Sequence, residues 1–294
     1  MFEHDVVDPA FEAAHSRLFG LAYRMLGSRA EAEDVVQDVY LRWHQADRAA
    51  IDNPEAWLVA AATRRSIDRL RKLRTEREAY PGPWLPEPLM RDDSARPDRA
   101  LEVSSDLSIA FLVLLERLAP EERAAFLLHD VFDADYRRVA TVLEKSEAAC
   151  RQIVHRARER VRRDEKRFAA TEAARVSLLG QFKAAVEARD ERAVLELLAP
   201  EATWTADGGG RVHAAPRAVV GAARIAKLAV GLMNKFYGNG TTVHLVEVNG
   251  EVGLCFRVDG KLRSLLTIET DGTRIHAVWV VVNPNKLPSE GFRH

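Results

Sequence analysis

The sequence predicts a multidomain protein in which two all-α helical regions precede an α+β domain with a curved antiparallel sheet. Three observations predict this class. Apolar residues recur at three and four positions through residues 9–76 and again from about 100 to 167. Residues 80–88 contain four prolines, which exclude a helix or a central strand there. After about residue 170, alternating apolar runs are separated by turn dipeptides.

Composition places the chain among globular proteins. Its 294 residues are 47% hydrophobic and 30% charged, enough apolar material for more than one core and no signature of disorder. The uninterrupted apolar run Ala277–Val282 is far shorter than a membrane span, and the acidic start is unlike a signal peptide. We therefore expect a cytoplasmic protein with no membrane partner.

Cysteine usage excludes two classes of chemistry. Cys150 and Cys255 lie far apart with no C-x-x-C motif, so the sequence supports neither a disulfide framework nor a cysteine zinc site. His155 has no second ligand at a suitable spacing. No metal and no cofactor is expected.

The first helical domain is expected over 8–76 and contains three helices. Gly27 is expected to end the first helix, and Asn53 before Pro54 is a suitable N-cap for the third. A proline-rich linker is expected over 77–104, where the prolines favour an extended and fairly stiff chain.

The second helical domain is expected over 105–167. Short helices near 134–143 and 147–163 are separated by Ser146, a candidate N-cap for the last one. A tight turn between two such helices, the second of them basic, is the arrangement of a DNA-reading helix-turn-helix. Periodicity alone indicates only an αα-hairpin.

The third domain is expected over 170–294. Helices are predicted near 174–189 and 190–199. Strands are predicted at Thr242–Val248, Gly253–Val258, Leu262–Glu269 and Ile275–Val282. Asn249-Gly250, Asp259-Gly260 and Asp271-Gly272 separate these runs and are typical hairpin turns.

Charge is distributed unevenly although the net charge is only −1. Residues 63–77 hold seven basic and two acidic side chains, and residues 151–167 hold eight basic and three acidic ones. Residues 31–38 hold four acidic side chains and no basic one. Two basic helices and one acidic helix predict separate binding surfaces.

Residues 30–72 and 118–162 resemble regions 2 and 4 of extracytoplasmic-function sigma factors of the sigma-70 family. The resemblance implies binding to core RNA polymerase, at the beta-prime clamp and the beta flap, and to promoter DNA. It places the acidic helix on the polymerase, with the candidate contacts Asp34, Gln37, Asp38 and Arg42. A solvated helix face without a partner is the alternative.

The same resemblance implies that residues 47–72 capture and melt the minus-10 element. Asn53 is expected near the pocket for a flipped base, and Arg64, Arg65 and Arg69 on the phosphates of the separated strand. Trp57 has apolar phasing, which favours packing over base stacking.

In the second helical domain, the spacing of apolar residues in the last helix places five other residues on its outward face. Arginine can bond guanine twice and glutamine can bond adenine, so these residues are the expected readers of the minus-35 element. They are Glu147, Arg151, Gln152, His155 and Arg156. Phosphate contact or solvation is expected for Arg158, Arg160, Arg162 and Arg163.

The remainder resembles a SnoaL-like domain of the NTF2-like superfamily, a cone of bent sheet and helices. A subgroup of these sigma factors, often called SigJ-like, carries such an extension. Three motifs support the resemblance: Trp84, Leu85, Pro86, Glu87 and Pro88; Asp207, Gly208, Gly209, Gly210 and Arg211; and Asn283, Pro284, Asn285, Lys286 and Leu287. The subgroup usually has Lys where Arg211 stands and Asp where Asn285 stands.

These motifs predict that the C-terminal domain contacts the Trp84 linker and controls the sigma domains in cis, without a separate anti-sigma protein. A stiff linker presents apolar anchors at little entropic cost. An unidentified small ligand in the cone is compatible with this scheme.

Two alternatives remain. One is a helix-turn-helix regulator fused to a ligand-binding domain. The other is a SnoaL-like enzyme, for which the available acid–base groups are Asp207, His213, Asp259, Glu269 and His276. No spacing selects a pair among them, so the expectation is a protein that is not an enzyme.

Overall fold

The computed structural model describes residues 8–90, 107–165, 170–238 and 240–288, with side chains of the second range described up to Val161. Residues 91–104 of the expected linker, the ends 105–106 and 166–167 of the second domain, and residues 289–294 lie outside this description. The chain divides into two compact units. The first contains the described residues up to Glu76 and Leu114–Arg162, and the second contains the others.

The first unit begins with three helices, as the periodicity predicts. They are α1 (Pro9–Leu26), α2 (Arg29–Gln45) and α3 (Pro54–Glu78). Gly27 ends α1 with a left-handed φ of 67°. The side chain of Asn53 caps α3 by accepting a hydrogen bond from the backbone N–H of Ala56.

Helix α3 buries two faces, whereas its apolar spacing in the sequence, with Trp57, Ala60, Ala61, Ile67 and Leu70 in phase, predicts one. Leu58, Ala62 and Leu70 are buried, whereas Ala60 is only partly buried. The reason is a second apolar cluster in the same unit, formed by residues of the following helices, on which Val59 and Ala60 pack. A prediction of one apolar face per helix cannot distinguish residues that pack on the first three helices from residues that pack on this second cluster.

Four further helices follow: α4 (Ile109–Leu115), α5 (Pro120–Phe126), α6 (Tyr136–Leu143) and α7 (Glu147–Glu165). A π-helical turn, Leu127–Val131, extends α5. Helix α6 ends at Glu144, which has a φ of 55°, and Ser146 caps α7 through the backbone N–H of Ala149. Helices α6 and α7 are thus the expected hairpin with a tight turn.

Among the described residues, the second unit carries a six-stranded sheet, three further helices and most of α4. The further helices are α8 (Glu172–Glu187), α9 (Glu191–Leu197) and α10 (Ala222–Phe236). The strands are β1 (Leu198–Asp207), β2 (Val219–Val220), β3 (Thr241–Val248), β4 (Glu251–Val258), β5 (Lys261–Thr270) and β6 (Ile275–Val281). The order across the sheet is β2-β1-β6-β5-β4-β3.

The α+β class is confirmed, with one correction to the sheet. The pairs β3–β4, β4–β5 and β5–β6 are antiparallel, but β1 and β6 run parallel. Strands β1 and β6 are not consecutive in the chain, since β2, α10, β3, β4 and β5 lie between them, so no hairpin turn makes them antiparallel. Neither α10 nor this parallel pair is signalled by the turn dipeptides.

The predicted turns explain the antiparallel meander. Asn249 and Gly250 both have positive φ, as do Asp259 and Gly260, which is the geometry of two-residue hairpins that match strand twist. At the third turn only Gly272 has positive φ. There the carboxylate of Asp271 accepts hydrogen bonds from the backbone N–H groups of Thr273 and Arg274.

The sheet has an apolar cluster on each face. The larger cluster packs under α8, α9 and α10. The smaller one contains Val248, Cys255 and Leu265, and Met90 and Leu287 cover it. The linker and the C-terminal motif therefore complete the outer face of the sheet.

Candidate functional site

The three short motifs meet around Asp207, the last residue of β1. This site, named the linker clasp, consists of Tyr80, Trp84 and Leu85 from the linker together with Asp207, Asn283 and Lys286. All six residues lie in the second unit. Their hydrogen bonds join segments that are far apart in sequence.

Asp207 is the acceptor at the centre of the clasp and is fully buried. Its carboxylate accepts hydrogen bonds from the Tyr80 hydroxyl at 2.5 Å and the backbone N–H of Leu85 at 2.9 Å. It also accepts one from the backbone N–H of Gly209 at 3.0 Å. A buried carboxylate is tolerated only when donors of this kind surround it.

Lys286 provides the opposite charge. Its Nζ lies 2.7 Å from Oδ2 of Asp207 and donates to the carbonyl oxygen of Leu85 at 2.6 Å. Burial lowers the pKa of Lys286 to about 8, although the carboxylate of Asp207 acts in the opposite direction. The same ammonium group thus binds the C-terminal domain and the linker backbone.

Trp84 lies between two cations. The guanidinium of Arg77 is 3.4 Å from the centre of its ring, and Nζ of Lys286 is 4.2 Å away. Leu85 beside it is 1% exposed. Trp84 and Leu85 thus act as aromatic and apolar anchors of the linker.

The glycine loop passes close to the linker at two points. A Cβ on Gly209 would lie 2.1 Å from Nδ2 of Asn283, and one on Gly210 would lie 2.6 Å from Cγ of Pro81. Both glycines also have positive φ. The loop needs glycine for its backbone conformation and for this close approach.

The linker continues along the outer edge of the sheet. Leu89 donates its backbone N–H to the side chain of Asn249 and accepts from the backbone N–H of Asn249. Met90 then bridges to Val248 on β3, the edge strand. Pro86 and Pro88 are buried between these two anchoring points, and Glu87 is partly buried.

The motif residues differ in what they contact. Asn283 donates from Nδ2 to the Tyr80 hydroxyl, whereas Pro284 and Asn285 are exposed. Tyr80, Asn249 and Arg77 complete the site and were missed by sequence reasoning. The sequence predicts only a turn at Asn249. The signal that could have identified Tyr80 is its place at the start of the proline-rich segment.

The leading half of α7 carries an exposed polar surface. The five expected minus-35 residues, Glu147, Arg151, Gln152, His155 and Arg156, are all exposed. Arg151 forms an ion pair with Glu147 at 2.8 Å and lies over the Tyr136 ring. The opposite face of α7 contributes Cys150, Ile153 and Val154 to the core.

Two later arginines of α7 have partners within the first unit. Arg158 forms an ion pair with Asp130, and Arg160 lies 2.6 Å from Glu122. The pKa of Arg158 is raised by that pairing. The side chains of Arg162 and Arg163 lie outside the described residues.

Helix α2 presents the acidic surface. Asp34, Gln37 and Arg42 are exposed, while Asp38 is paired with Arg65 at 2.6 Å. Leu41 lies between these positions and is 51% exposed, a large apolar side chain in water. Sequence periodicity gave no reason to single out Leu41.

The expected minus-10 residues on α3 are engaged in contacts inside the first unit. Arg64 donates to the backbone carbonyls of Thr141 and Val142 on α6. Arg69 makes a bidentate pair with Glu31, which raises its pKa. Asn53 is exposed and caps α3, and Trp57 is half-buried with its ring 5.5 Å from that of Trp43.

The candidate acid–base groups do not converge on one site. Asp207 belongs to the linker clasp. His276 lies 2.8 Å from Asp271. The hydrogen bond between them is the largest cause of the lowered pKa of Asp271. Among the described residues, no cluster of three His, Cys, Asp or Glu side chains could hold a metal ion, and no helix is long and apolar enough to cross a membrane.

Comparison with known proteins gives consistent matches along the chain. Residues 10–76 match Sigma-70 region 2, and residues 108–161 match Sigma-70 region 4. The ECF RNA polymerase sigma factor SigJ of Mycobacterium tuberculosis H37Rv is 37% identical over 288 residues, covering 94% of this chain and 92% of the relative. The probable ECF RNA polymerase sigma factor SigI of strain CDC 1551 is 30% identical, covering 98% of this chain and 97% of the relative.

A solved structure matches the chain along most of its length. The crystal structure of the M. tuberculosis extracytoplasmic function sigma factor SigJ superposes with a TM-score of 0.78 at 35% identity. The match covers 96% of this chain and 99% of that chain. Similarity thus extends through both helical regions and the C-terminal α+β domain.

Proposed function

Because the chain belongs to the extracytoplasmic-function sigma factors of the sigma-70 family, we propose that its C-terminal domain controls promoter-dependent transcription in cis through the linker clasp. One observation carries the proposal. The buried carboxylate of Asp207 binds both the Tyr80 hydroxyl and the Leu85 backbone of the linker, whose first residues follow α3. The segment that joins the two sigma regions is thereby bound to the third domain.

The exposed surfaces supply the contacts of a sigma factor. Helix α2 offers Asp34, Gln37 and Arg42 around Leu41 as a surface for the polymerase clamp. Helix α7 offers Arg151 and Gln152 to the major groove at the minus-35 element. Helix α3 offers its arginines to the minus-10 strand once their internal partners are released.

The packing of the first unit favours a chain that must open on promoter DNA. Arg64 on α3 hydrogen-bonds to carbonyls at the end of α6. The minus-10 and minus-35 elements lie about 25 base pairs apart, which is about 85 Å of helix axis. Helices α3 and α7 cannot read both elements while this contact persists, so we propose that opening precedes initiation.

Control in cis makes a separate anti-sigma protein unnecessary. A bound linker cannot follow the separation of the two sigma regions as freely as a released one. A linker held in one conformation favours one spacing of these regions. A change in the clasp therefore changes the fraction of chains able to open a promoter.

The alternative of an enzyme has less support in the cavity of the C-terminal domain. Of the candidate acid–base groups, only His213 lines this cavity among the described residues, and it is exposed rather than set in the apolar interior. The two arginines that line it suit ligand binding better than proton abstraction, because a guanidinium stays protonated.

The test is transcription in vitro with core RNA polymerase and a promoter library, comparing the full chain with its Trp84→Ala variant. We expect initiation only when the chain is added. We also expect a change of at least about fivefold with Trp84→Ala while binding to core polymerase stays within twofold, because the two cations against Trp84, Arg77 and Lys286, lie in the second unit.

A matched control is Trp279→Ala on β6, which changes another tryptophan of the same domain outside the clasp. If Trp84→Ala and Trp279→Ala both leave transcription unchanged, the proposed control in cis is wrong. If the chain binds no core polymerase and starts no transcript, the helix-turn-helix regulator is favoured instead.

A further inference from the structure

The C-terminal domain contains a cavity of about 530 Å³ between the inner face of the sheet and helices α8 and α10. This volume lies in the usual range for small-molecule sites. Buried aromatic side chains, including Trp204 and Phe256, form part of its wall, and Met233 of α10 adds a flexible apolar group. The cavity is thus suited to an apolar ligand body.

The charged groups of the cavity all have one sign. Arg211, His213 and Arg263 line it, and no Asp or Glu does so among the described residues. All three basic residues are exposed, whereas Trp204 and Phe256 are buried, so the cavity has a basic, solvent-facing part and an apolar interior. Neither Arg211 nor Arg263 forms an ion pair with a described residue.

A second polar feature lies deeper. The hydroxyl of Tyr237 is 2.7 Å from the hydroxyl of Ser264, and both residues line the cavity. Burial raises the pKa of Tyr237, so this phenol stays protonated and neutral. The pair can exchange hydrogen bonds with a ligand but supplies no negative charge.

We propose that this cavity binds an apolar carboxylate of small-molecule size, with the carboxylate held by Arg211 and Arg263 and the apolar body held against Trp204 and Phe256. Arginine matches a carboxylate with two parallel hydrogen bonds. An apolar cation would face the like charges of the two guanidinium groups. A neutral ligand would gain no charge-assisted hydrogen bond from either guanidinium group.

Arg211 also connects the cavity to the linker clasp. It is the last residue of the glycine loop, in which a Cβ on Gly210 would lie 2.6 Å from Pro81 and Asp207 binds the linker. A carboxylate that fixes Arg211 restricts a loop in direct contact with the linker. This consequence for transcription rests on the proposed function, whereas the binding itself does not.

The experiment uses the full chain and two probes of nearly equal shape, 2-naphthoate and 2-naphthamide. Binding is measured by calorimetry and by the quenching of tryptophan fluorescence, since Trp204 lines the cavity. We expect 2-naphthoate to bind at least about tenfold more tightly than 2-naphthamide, and we expect its affinity to fall with added salt.

The variants are Arg211→Gln and Arg263→Gln, with Lys261→Gln as the matched control. Lys261 is exposed on the same strand as Arg263 but does not line the cavity. Each arginine variant is expected to weaken 2-naphthoate binding about tenfold or more, with little effect on 2-naphthamide. Lys261→Gln is expected to bind both probes as the unchanged chain does.

Three results would overturn the proposal: no binding of 2-naphthoate at millimolar concentration, equal affinity for both probes, or equal loss in the Lys261→Gln control. Adding 2-naphthoate to the transcription assay separates the two proposals. If binding depends on both arginines, the carboxylate site is retained. If transcription nevertheless responds neither to 2-naphthoate nor to Trp84→Ala, control in cis is rejected.

Discussion

The ammonium group of Lys286 lies 2.7 Å from the carboxylate of Asp207, and both side chains are largely or wholly buried in the C-terminal domain. An ion pair removed from water is sustained only if further hydrogen bonds satisfy both groups. Here the linker supplies them: Tyr80 and the Leu85 N–H donate to Asp207, and the Leu85 carbonyl accepts from Lys286. Release of the linker therefore exposes this charge pair to water or leaves it buried without these hydrogen bonds.

Removing the carboxylate should destabilise the second unit. Asp207→Ala leaves the Lys286 ammonium and the Leu85 N–H without their acceptor, and we expect a loss of about 3–5 kcal/mol in the free energy of unfolding. Glu201→Ala, on the exposed part of the same strand, should change it by less than about 0.5 kcal/mol. Urea unfolding of both variants measures the difference, and equal effects would show that the clasp is not held by this charge.

Stability should depend on pH through Lys286. Its pKa is lowered from 10.5 to about 8 in the folded chain. Between these values the unfolded chain binds the proton that the folded chain has released, so this group raises the free energy of unfolding as pH rises from about 8 to 10.5. Its contribution is lost as pH falls through 8.

Lys286→Met tests this dependence. Urea unfolding at several pH values should show that the unchanged chain gains stability relative to the variant across that window. Parallel pH profiles for the two chains would place the titration elsewhere. Burial and Asp207 raise the pKa of Tyr80, which acts in the opposite direction above pH 10 and is common to both chains.

The glycine loop should tolerate alanine less well at Gly210 than at a hairpin turn. Gly210→Ala adds a Cβ 2.6 Å from Pro81 to the strain of a positive φ, whereas Gly260→Ala adds only the strain because nothing lies within 4 Å. We expect Gly260→Ala to cost about 1 kcal/mol and Gly210→Ala measurably more. Only Gly210→Ala should also alter transcription, and the same transcription change in both variants would argue against a contact effect.

Promoter discrimination should depend on Gln152 of α7. The side chain is exposed and needs to break no described ion pair before it meets DNA. Gln152→Ala should lower discrimination at one minus-35 position by about 1–3 kcal/mol, measured by competition between promoter variants. Glu159→Ala, later on the same helix, should leave discrimination unchanged. A uniform loss on all sequences would assign Gln152 to a phosphate contact.

Binding to core polymerase should depend on Leu41. A large side chain that is 51% exposed among charged neighbours can be buried at an interface, and its loss is expected to cost about 1–2 kcal/mol of binding free energy. Leu41→Ser should therefore weaken binding about tenfold in a titration with labelled core polymerase. Leu245→Ser, at a similarly exposed position on β3, is the control and should bind core polymerase normally.

Local signals predicted most of the secondary structure. Three kinds of signal depend only on residues close in sequence, so the sequence alone locates them. They are the αL glycine after α1, the Asn53 cap of α3, and the two-residue turns at Asn249 and Asp259. Helix α10 and the parallel β1–β6 pair were missed, since a crossover depends on which strands become neighbours.

The sequence by itself determined the two helical blocks, the stiff linker, the α+β domain and the three motifs that suggested a contact between them. Only the tertiary structure decided that Asp207 is the common acceptor, that Tyr80 and Asn249 take part, and that Arg64 and Arg69 are held by internal partners. The physical reason is range. Caps and turns are set by neighbouring residues, whereas a buried charge acquires partners from any segment that the fold brings within hydrogen-bond distance.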